Sequence, residues 1–488
     1  MSIEILLRGF FSFIISATFA YSIYDKQALE EAPGDDTDSR RRYVPYVPAF
    51  IYPLFLAVLF VLSTREYGMR STVQHLLAMC FDVFLHTSLY YLLLLLAAPL
   101  LRKYISARVC AALWMLPNYL YFIHQGFMRL PRPLLVLRTS VNAIGLICLI
   151  WGIGFFAVML WNLISHLFFR HRLLRNAQPV TDPDILELWQ KEQWAAGFKK
   201  APYRLVYSPA VKTPLSIGFF KRSIRVVLPL RSYSQEELAL IFRHEIIHIG
   251  REDSTTKFFL VFCTAMCWFN PLMWIASRRS ADDLELSCDE TVLLSVDART
   301  RHLYADLLLR TAGDNRGFTT CLSASARAMR YRLKNVMKPQ RPFVGGIASG
   351  LIFFALIMSC GYIAAAYNEG TGQEYIFSGQ EFDSYTIQNI HGDREEGLRY
   401  YDCLDETALN EYLGSLRLYE ITGSYTFPDL DNEICVIYHG PEGAFGVTLR
   451  DDALKVTPLY GEKNETRNYY CSDEIDWGYL YSLTEPKN

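Results

Sequence analysis

The stretch His244-Glu-Ile-Ile-His248 decides how the centre of this 488-residue chain must fold. Just before it, Ser234-Gln-Glu-Glu237 has the pattern of a capping box, in which a serine and a glutamate three residues later satisfy the first N–H groups of a helix. From Leu238 to His248 the apolar residues keep helical spacing. We therefore predict a helix that begins after Ser234 and carries the two histidines one turn apart on the same face.

Two imidazoles at this spacing can bind one Zn²⁺, and Glu245 can then take a proton from the attacking water. A catalytic zinc ion also needs a third protein ligand and one open position. Downstream, Glu285 and Asp289 stand at i,i+4 on one helical face of an acidic stretch. Glu285 can be the third ligand, and Asp289 can accept the second N–H of a ligating histidine. For the acidic stretch alone, the alternative is a solvated helix face.

Cys288 lies between these two acidic residues in the sequence, which turns it away from their face of the helix. We interpret it as a buried core thiol rather than as a ligand or a redox switch.

Several short motifs around these residues carry a resemblance to a known family. They are Ser208-Pro209, Thr213-Pro214, Gly218 and Val227-Leu-Pro229 upstream, Asp253 shortly after the histidines, and Trp268-Phe-Asn-Pro271-Leu-Met-Trp274 and Glu285-Leu-Ser-Cys-Asp289-Glu290 downstream. As a set they resemble the BlaR/MecR family of bacterial membrane metallopeptidases, over about residues 171–340.

The resemblance implies a gluzincin-type zinc endopeptidase domain that lies on the cytosolic side between two membrane spans. It further implies that an outside domain triggers the peptidase, which leads to cleavage of a transcriptional repressor, often with self-cleavage. The roles it assigns are zinc ligand to His244, His248 and Glu285, catalytic base to Glu245, and support of the site to Asp289 and Asp253.

The composition lies between that of a soluble enzyme and that of a membrane bundle. Hydrophobic residues make up 51% of the chain and charged residues 20%, against about 25% charged residues in typical soluble proteins. The mean hydropathy is +0.11. These values exclude a disordered, collagen-like or disulfide-framework chain and indicate membrane spans joined to soluble parts.

Apolar stretches of spanning length lie at about 5–24, 44–63, 75–101, 141–169 and 343–366, with a weaker candidate at 105–126. Basic residues cluster after the 141–169 span and before the last span, and the positive-inside rule then predicts a cytosolic segment between them and an extracellular tail. These residues are Arg170, Arg172, Arg175, Arg330, Arg332, Lys334, Lys338 and Arg341. The same rule places the first loop, with Arg40, Arg41 and Arg42, inside; the loop near Arg129, Arg132 and Arg138 would be external, against the rule.

We therefore predict a multi-pass α-helical protein of the bacterial cell membrane, with a cytosolic gluzincin-like α+β zinc metallopeptidase domain and a small extracellular β-rich or α+β domain. The predicted divisions are a transmembrane bundle at 1–169, the peptidase domain at 170–342, a last transmembrane helix at 343–366 and an acidic sensor domain at 367–488.

One apolar segment, Phe258 to Ile275, is hydrophobic enough to be taken for a further span. If it crossed the membrane, His248 and Glu285 would lie on opposite sides of a core about 30 Å thick and could not share a metal ion. Asn270-Pro271 would break a straight helix there. We expect an interfacial or re-entrant helix hairpin against the bundle, with the metal site close to the membrane face.

The tail differs from that of the best-known family members. From Ala366 to Asn488 it holds 24 Asp and Glu against 8 Lys and Arg, and it lacks the Ser-x-x-Lys and Lys-Thr-Gly motifs of a penicillin-binding sensor. Strand-like patterns occur at Thr386-Ile-Gln-Asn-Ile390, Ile434-Cys-Val-Ile-Tyr438 and Phe445-Gly-Val-Thr-Leu449. The sequence therefore identifies no extracellular ligand for the tail. A disulfide between two of Cys403, Cys435 and Cys471 is one alternative, and three reduced thiols are the other.

Asp82 and His86 stand at i,i+4 within the third predicted span. Ionisable groups at bilayer depth are costly and often functional, so one hypothesis is that the pair couples external sensing to the interior. The alternative is a satisfied polar pair that holds membrane helices together.

The favoured function is a signal-transducing membrane zinc endopeptidase whose partners are a cytosolic repressor-like regulator, an unknown extracellular ligand and membrane lipid. No basic cluster with interleaved aromatic residues occurs, so we do not expect direct nucleic-acid binding, and a homo-oligomer is left open. The alternatives are a housekeeping membrane-protein protease and a non-catalytic receptor or scaffold.

Overall fold

The computed structural model describes most of the chain in separate ranges. They are residues 3–31, 51–123, 135–139, 141–198, 203–219, 221–294, 296–311, 326–337, 345–360, 363–378, 382–388, 400–421, 432–441, 443–459 and 466–486. The basic residues of the predicted first loop, Arg40, Arg41 and Arg42, lie outside these ranges, as do Arg129 and Arg132.

The N-terminal part is built from long apolar helices. Its elements are α1 (Ile3–Glu31), α2 (Ile51–Tyr104), α3 (Ala107–Leu113), α4 (Leu120–Ile123), strand β1 (Leu135–Thr139) and α5 (Val141–Leu174). Within the described ranges, three helical segments are long and apolar enough to cross a membrane, namely Leu6–Ile23, Met79–Tyr104 and Gly145–Leu174. Pro53–Arg65 is apolar but shorter.

The predicted spans at 44–63 and 75–101 are parts of one continuous helix, α2, which is 54 residues long. The turn that the hydropathy pattern indicated between them is not formed. The reason is that the intervening residues are polar but contain no proline, and a polar stretch lowers membrane affinity without breaking backbone hydrogen bonds. Residues 44–50 lie outside the described ranges.

The weaker candidate at 105–126 is not one spanning helix in its described part. Ser106 caps α3 by accepting a hydrogen bond from Val109 N, and α3 ends at Leu113. A one-turn 3₁₀-helix, Leu116–Tyr119, and the short α4 follow. Pro117 stands in the first turn of the 3₁₀-helix and has no N–H with which to continue α3.

The central region, which was predicted to be the peptidase domain, begins with β2 (Gln178–Pro179), α6 (Pro183–Ala195), β3 (Arg204–Tyr207), β4 (Leu215–Ile217) and β5 (Arg225–Leu228). It continues with α7 (Gln235–Gly250), α8 (Asp253–Met266), α9 (Pro271–Val292), α10 (Ala298–Thr311) and α11 (Ala326–Met337). The four strands form a sheet in the order β2-β3-β5-β4, so β4 is an edge strand. One core, with Trp189, Val226 and Phe242 at its centre, joins this sheet to α6, α7 and α10.

The apolar segment from 258 to 275 forms the expected hairpin. Helix α8 ends at Met266, and Asn270 begins α9 by accepting a hydrogen bond from Leu272 N, with Pro271 at the first helical position. The hairpin lies against α5, where Trp151 Nε1 donates to Met266 O at 2.7 Å and Trp268 Nε1 donates to Trp151 O at 3.2 Å. The chain thus turns back, and α7 and α9 can share one site.

The last apolar helix, α12 (Gly346–Ser359), has 14 residues and is shorter than the predicted span at 343–366. Residues 363–366, which the hydropathy pattern assigned to the helix, instead form the start of strand β6 (Ile363–Thr371). The prediction was wrong at this end because an apolar run suits a buried strand as well as a helix, and the sheet provides backbone partners for it. Helix α12 packs closely on α1, since a Cβ at Gly350 would lie 2.9 Å from Ala20 Cβ.

The C-terminal part is an α+β fold around one large sheet. After β6 come β7 (Ser384–Gln388), β8 (Tyr400–Cys403), α13 (Glu406–Ser415), β9 (Arg417–Ile421), β10 (Glu433–Gly440) and β11 (Gly443–Arg450). The chain ends with β12 (Ala453–Pro458), β13 (Arg467–Cys471), α14 (Trp477–Ser482) and β14 (Thr484–Pro486). The ten strands have the order β1-β6-β9-β13-β12-β11-β10-β7-β8-β14.

The expected strands near 386, 434 and 445 correspond to β7, β10 and β11, although 389 and 390 lie outside the described residues. Cys403, Cys435 and Cys471 are free thiols.

Strand β1 belongs to this C-terminal sheet although it precedes α5 in the chain. It pairs in parallel with β6, in a register that runs from Leu135↔Ile363 to Thr139↔Tyr367. Strand β1 therefore lies on the same side of the helical bundle as the C-terminal sheet.

Candidate metal centre

Helix α7 begins as the capping box predicts. Glu237 N donates to Ser234 Oγ at 3.2 Å, and Ser234 N donates to Glu237 Oε2 at 2.9 Å. The helix then runs unbroken to Gly250, and His244, Glu245 and His248 are all buried in it. Local sequence thus sets the spacing of these side chains before any tertiary contact forms.

The two imidazoles approach each other through their Nε2 atoms. His244 Nε2 and His248 Nε2 are 3.1 Å apart. On α9, Glu285 faces both rings, with Oε2 at 3.7 Å from His244 Nε2 and Oε1 at 3.7 Å from His248 Nε2. The structure therefore brings together the three side chains that the sequence singled out as ligands.

The residues present fit a bound metal ion. Both carboxylate oxygens of Glu285 and Oε2 of Glu245 are buried and have no hydrogen-bond partner within the described part of the chain. Buried polar atoms are normally hydrogen-bonded, so a bound cation would satisfy oxygens that accept no hydrogen bond from the described residues. Two imidazole nitrogens and one carboxylate are also a ligand set of catalytic zinc sites.

Asp253 holds the imidazole ring of His248 in place. Its Oδ2 accepts a hydrogen bond of 2.6 Å from His248 Nδ1, and Arg251 Nε lies 3.4 Å from its Oδ1. A carboxylate at Nδ1 fixes the ring orientation and leaves Nε2 as the ligating atom. Glu252, which precedes α8, adopts a left-handed conformation with φ of 53°, and the turn there brings Asp253 back to His248.

The imidazole ring of His244 was expected to donate its second N–H to Asp289, but the two side chains are not directly hydrogen-bonded. Asp289 Oδ1 is 3.7 Å from His244 Nδ1, too far for a hydrogen bond. Tyr304, on α10, lies between them, since its hydroxyl is 2.9 Å from His244 Nδ1 and donates to Asp289 Oδ1 at 2.7 Å. Asp289 thus acts on His244 through Tyr304, because the two residues are on different helices whose separation leaves room for a phenol.

Arg332, on α11, is a site residue that the sequence reasoning interpreted only as one of the basic residues before the last span. Its Nε and Nη2 each donate to Asp289 at 2.5 Å, and its Nη1 lies 3.5 Å from Glu285 Oε2. A signal was available, since Met329, Arg332 and Val336 occupy one buried face of α11. A buried arginine on an apolar face needs an acidic partner.

The charges of the site favour a cation between the histidines and Glu285. Burial would raise the pKa of Glu285, but His248, His244 and Arg332 outweigh it and hold the pKa well below its ordinary value. Burial would lower the pKa of His248, but Cys288 and Glu285 outweigh it and raise the pKa well above the ordinary value. The carboxylate is therefore ionised, and its surroundings attract positive charge to the imidazoles.

Cys288 is fully buried next to the site. His244, His248 and Cys288 are close enough to form an alternative set of metal ligands. However, Cys288 Sγ lies 3.4 Å from His244 Nδ1, the nitrogen that Tyr304 already engages, whereas Glu285 faces both Nε2 atoms. Glu285 thus faces the two nitrogens that face each other, as predicted for a third ligand, whereas Cys288 lies at the opposite nitrogen of the His244 ring.

Asp82 and His86 lie on α2 and do not join this site. His86 Nδ1 is 2.9 Å from Asp82 Oδ1, and the two residues form a separate group with Cys360 at the end of α12. Arg8, on α1, donates to the carbonyl oxygens of Ile357 and Cys360 at the same place. The pair thus lies where three helices meet.

Comparisons with known proteins agree with the motifs. Residues 122–336 match the family described as BlaR1 peptidase M56. Regulatory protein BlaR1 of Bacillus licheniformis is 26% identical over 183 residues, which are 38% of this chain and 30% of that protein. Methicillin resistance mecR1 protein of Staphylococcus aureus is 24% identical over 172 residues, 35% of this chain and 28% of that protein. The matched segments span less than a third of the length of these relatives.

Proposed function

We propose that this chain, a BlaR/MecR-type family member by its peptidase M56 domain, is a membrane-embedded zinc endopeptidase that converts an extracellular signal into cytosolic proteolysis of a repressor-like regulator. The family resemblance drawn from the motifs is confirmed by the comparisons. Residues 122–336 match the BlaR1 peptidase M56 family, and within the described ranges three helices are long and apolar enough to cross a membrane. The proposal includes zinc as the metal, the assigned site residues, the cytosolic position of the peptidase region and a repressor-like substrate.

The observation that carries the proposal is the convergence of His244 Nε2, His248 Nε2 and the Glu285 carboxylate, whose oxygens accept no hydrogen bond within the described residues. Glu245 is buried next to His244 on the same helix. A purely structural site would satisfy these buried oxygens with donors of its own. Glu245 is buried, as are the acidic residues Asp253, Glu285 and Asp289. A non-catalytic receptor would have no need of this additional buried carboxylate. Both points favour an enzyme over a scaffold.

In the proposed mechanism His244, His248 and Glu285 would hold zinc, and a bound zinc ion would supply Lewis-acid chemistry toward the substrate carbonyl and the attacking water. Glu245 is the general base, because its Oε2 is buried, unpartnered and free to take a proton. Glu245 then passes that proton to the leaving amine. Asp253 and Tyr304 keep the two histidine rings oriented, and burial strengthens each of these interactions.

A substrate segment can reach the site along the small sheet. A cavity of about 120 Å³ lies beside His248 and is lined by Tyr203, Phe219 and Ile224. The edge strand β4 contributes Ser216 to the same cavity. An extended peptide that added to β4 would place its backbone along the strand and one side chain in the cavity.

The proposed sidedness rests on the basic residues that flank the peptidase region. Arg170 and Arg172 at the end of α5 favour a cytosolic peptidase region. The C-terminal sheet then lies outside, as does Arg138, since β1 pairs with β6. The basic residues near Arg138 oppose this arrangement, and the pairing of β1 with β6 requires that both strands lie on one side.

The test compares wild-type protein with Glu245→Gln and, as a matched control, Glu236→Gln, an exposed residue of the same helix. Zinc content and cleavage of the regulator encoded next to the gene are measured. We expect zinc in all three proteins and a 10²- to 10⁴-fold loss of cleavage, on the order of a general-base contribution, only in Glu245→Gln.

Two results would contradict the proposal. Absence of zinc from the wild-type protein would favour the receptor or scaffold, and cleavage by Glu245→Gln at the wild-type rate would remove Glu245 from the mechanism. Cleavage of unrelated membrane proteins in place of the regulator would favour the housekeeping protease.

A further inference from the structure

We propose that Arg332 is a positioning residue for the metal ligand Glu285, so that the metal site is complete only while α11 lies against α9. The inference rests on the proposed metallopeptidase function, and it assigns part of the metal site to the helix that leads into the last apolar helix, α12.

The contacts of Arg332 are those of a guanidinium enclosed by the site. Its residue is 1% exposed, and its Nε and Nη2 both bind Asp289. Its Nη1 is buried, has no hydrogen-bond partner within the described residues, and lies 3.5 Å from Glu285 Oε2. The two-donor contact with Asp289 fixes the plane of the guanidinium, and this plane directs Nη1 toward Glu285.

One side chain therefore acts on two of the three ligands. It contacts Glu285 directly, and through Asp289 it holds the Tyr304 hydroxyl that supports His244. Glu285 and Asp289 are one turn apart on α9, a separation that a planar fork spans and an ammonium group does not. The geometry thus requires arginine at this position rather than any positive charge.

The charge balance of the site gives the same result. Asp289 is 2% exposed, and its ionised form in so buried a position needs a cation. Arg332 is the cation in direct contact with it. Lys257 Nζ, the other nearby cation, is 3.9 Å from Glu285 Oε1 and leaves Oε2 to Arg332.

Arg332 lies on α11, so its contacts with Glu285 and Asp289 form only when α11 packs against α9. Helix α11 ends at Met337, and α12 begins at Gly346 and leads into β6 of the C-terminal sheet. At its N-terminal end α12 contacts α3, since a Cβ at Gly345 would lie 2.9 Å from Val109 Cγ1. Separation of α11 from α9 would remove Arg332 from both Glu285 and Asp289, whereas the two histidines lie on α7.

The experiment uses the full chain and the variants Arg332→Met and Arg332→Lys, with Arg330→Met, an exposed arginine of the same helix, as control. Two properties are measured: the rate of Zn²⁺ transfer to a chromogenic chelator and the visible absorption spectrum of the Co²⁺-substituted protein. We expect zinc transfer to become about 10 to 100 times faster in both Arg332 variants, as for other residues that orient metal ligands. We also expect an altered cobalt spectrum, with lysine closer to wild type and the control unchanged.

Wild-type transfer rates and spectra in both Arg332 variants would overturn the proposal while leaving the metallopeptidase function intact. If the single variants do not fold, the double variant Asp289→Asn, Arg332→Gln replaces the buried ion pair by a neutral hydrogen-bonded pair and is compared in the same way. A wild-type protein without bound metal would overturn the proposed function and this inference together.

Discussion

At the scale of single residues, each histidine of the metal centre is held at the nitrogen that faces away from Glu285. His248 Nδ1 is bound by Asp253 and His244 Nδ1 by Tyr304. Asp253 places a full negative charge directly at the His248 ring. Tyr304 is neutral, and it hydrogen-bonds both the His244 ring and the carboxylate of Asp289. His248 should therefore be the more strongly electron-donating ligand of the two.

This difference predicts the effect of Asp253→Asn. The amide keeps the size of the side chain but loses the charge that makes His248 a better donor, so we expect zinc affinity to fall by about 10- to 100-fold. The measurement is competition for zinc with a chelator of known affinity. Asp306→Asn, an exposed residue of α10, is the control, and equal affinity of the two variants would contradict the role of Asp253.

At the scale of elements, the hairpin of α8 and α9 makes a tight contact with α5. Gly154 lies directly against the Trp268 indole, and a Cβ built at that glycine would overlap the ring. Trp268 is also tied to Trp151 by its hydrogen bond. The glycine is needed here for close approach between helices, because its backbone conformation is ordinary for a helix.

The neighbouring Gly152 provides a matched comparison. A Cβ at Gly152 meets nothing within 4 Å, so Gly152→Ala should stabilise α5 by up to about 1 kcal/mol through helix propensity. Gly154→Ala should instead destabilise the protein, by about 1 to 3 kcal/mol as for other overpacked sites, because the indole must move. Thermal unfolding in detergent measures both changes, and equal effects of the two alanines would show that the contact is not tight.

At the scale of the whole molecule, α5 joins the three parts of the structure. Its N-terminal end follows β1 of the C-terminal sheet, and its middle contacts the α8–α9 hairpin. At its C-terminal end, Leu173 packs against Leu215 and Val227 of the small sheet, and Ser208 Oγ donates to Leu173 O at 2.7 Å. A helix of 34 residues spans about 50 Å, enough to connect both sides of a bilayer.

The metal should stabilise the parts that meet at the site. An ion that binds only the folded state adds about 4 kcal/mol when its free concentration is about 1,000 times Kd. We expect zinc to raise the unfolding temperature of wild type and Glu245→Gln and a chelator to reverse the rise. His244→Ala should show little of this effect, since it lacks one ligand. An equal zinc-dependent rise in His244→Ala would place the binding elsewhere.

Local chemistry was sufficient to predict several features. The capping box and the apolar spacing predicted α7, and Asn270-Pro271 predicted the break between α8 and α9, because each depends on residues only a few positions apart. The assignment of His244, Glu245, His248 and Glu285 as site residues remains a prediction, and the structure shows that the side chains of His244, His248 and Glu285 lie together.

The sequence by itself determined which helices form around residue 244 and which family this chain resembles, since both follow from short-range patterns. Only the tertiary structure decided that α2 is continuous, that β1 pairs with β6, and that Tyr304 and Arg332 complete the site. Tyr304 lies 60 residues from His244, and Arg332 lies 43 from Asp289. Contacts at such separations depend on how helices pack, and helical periodicity specifies which face is buried without specifying what that face meets.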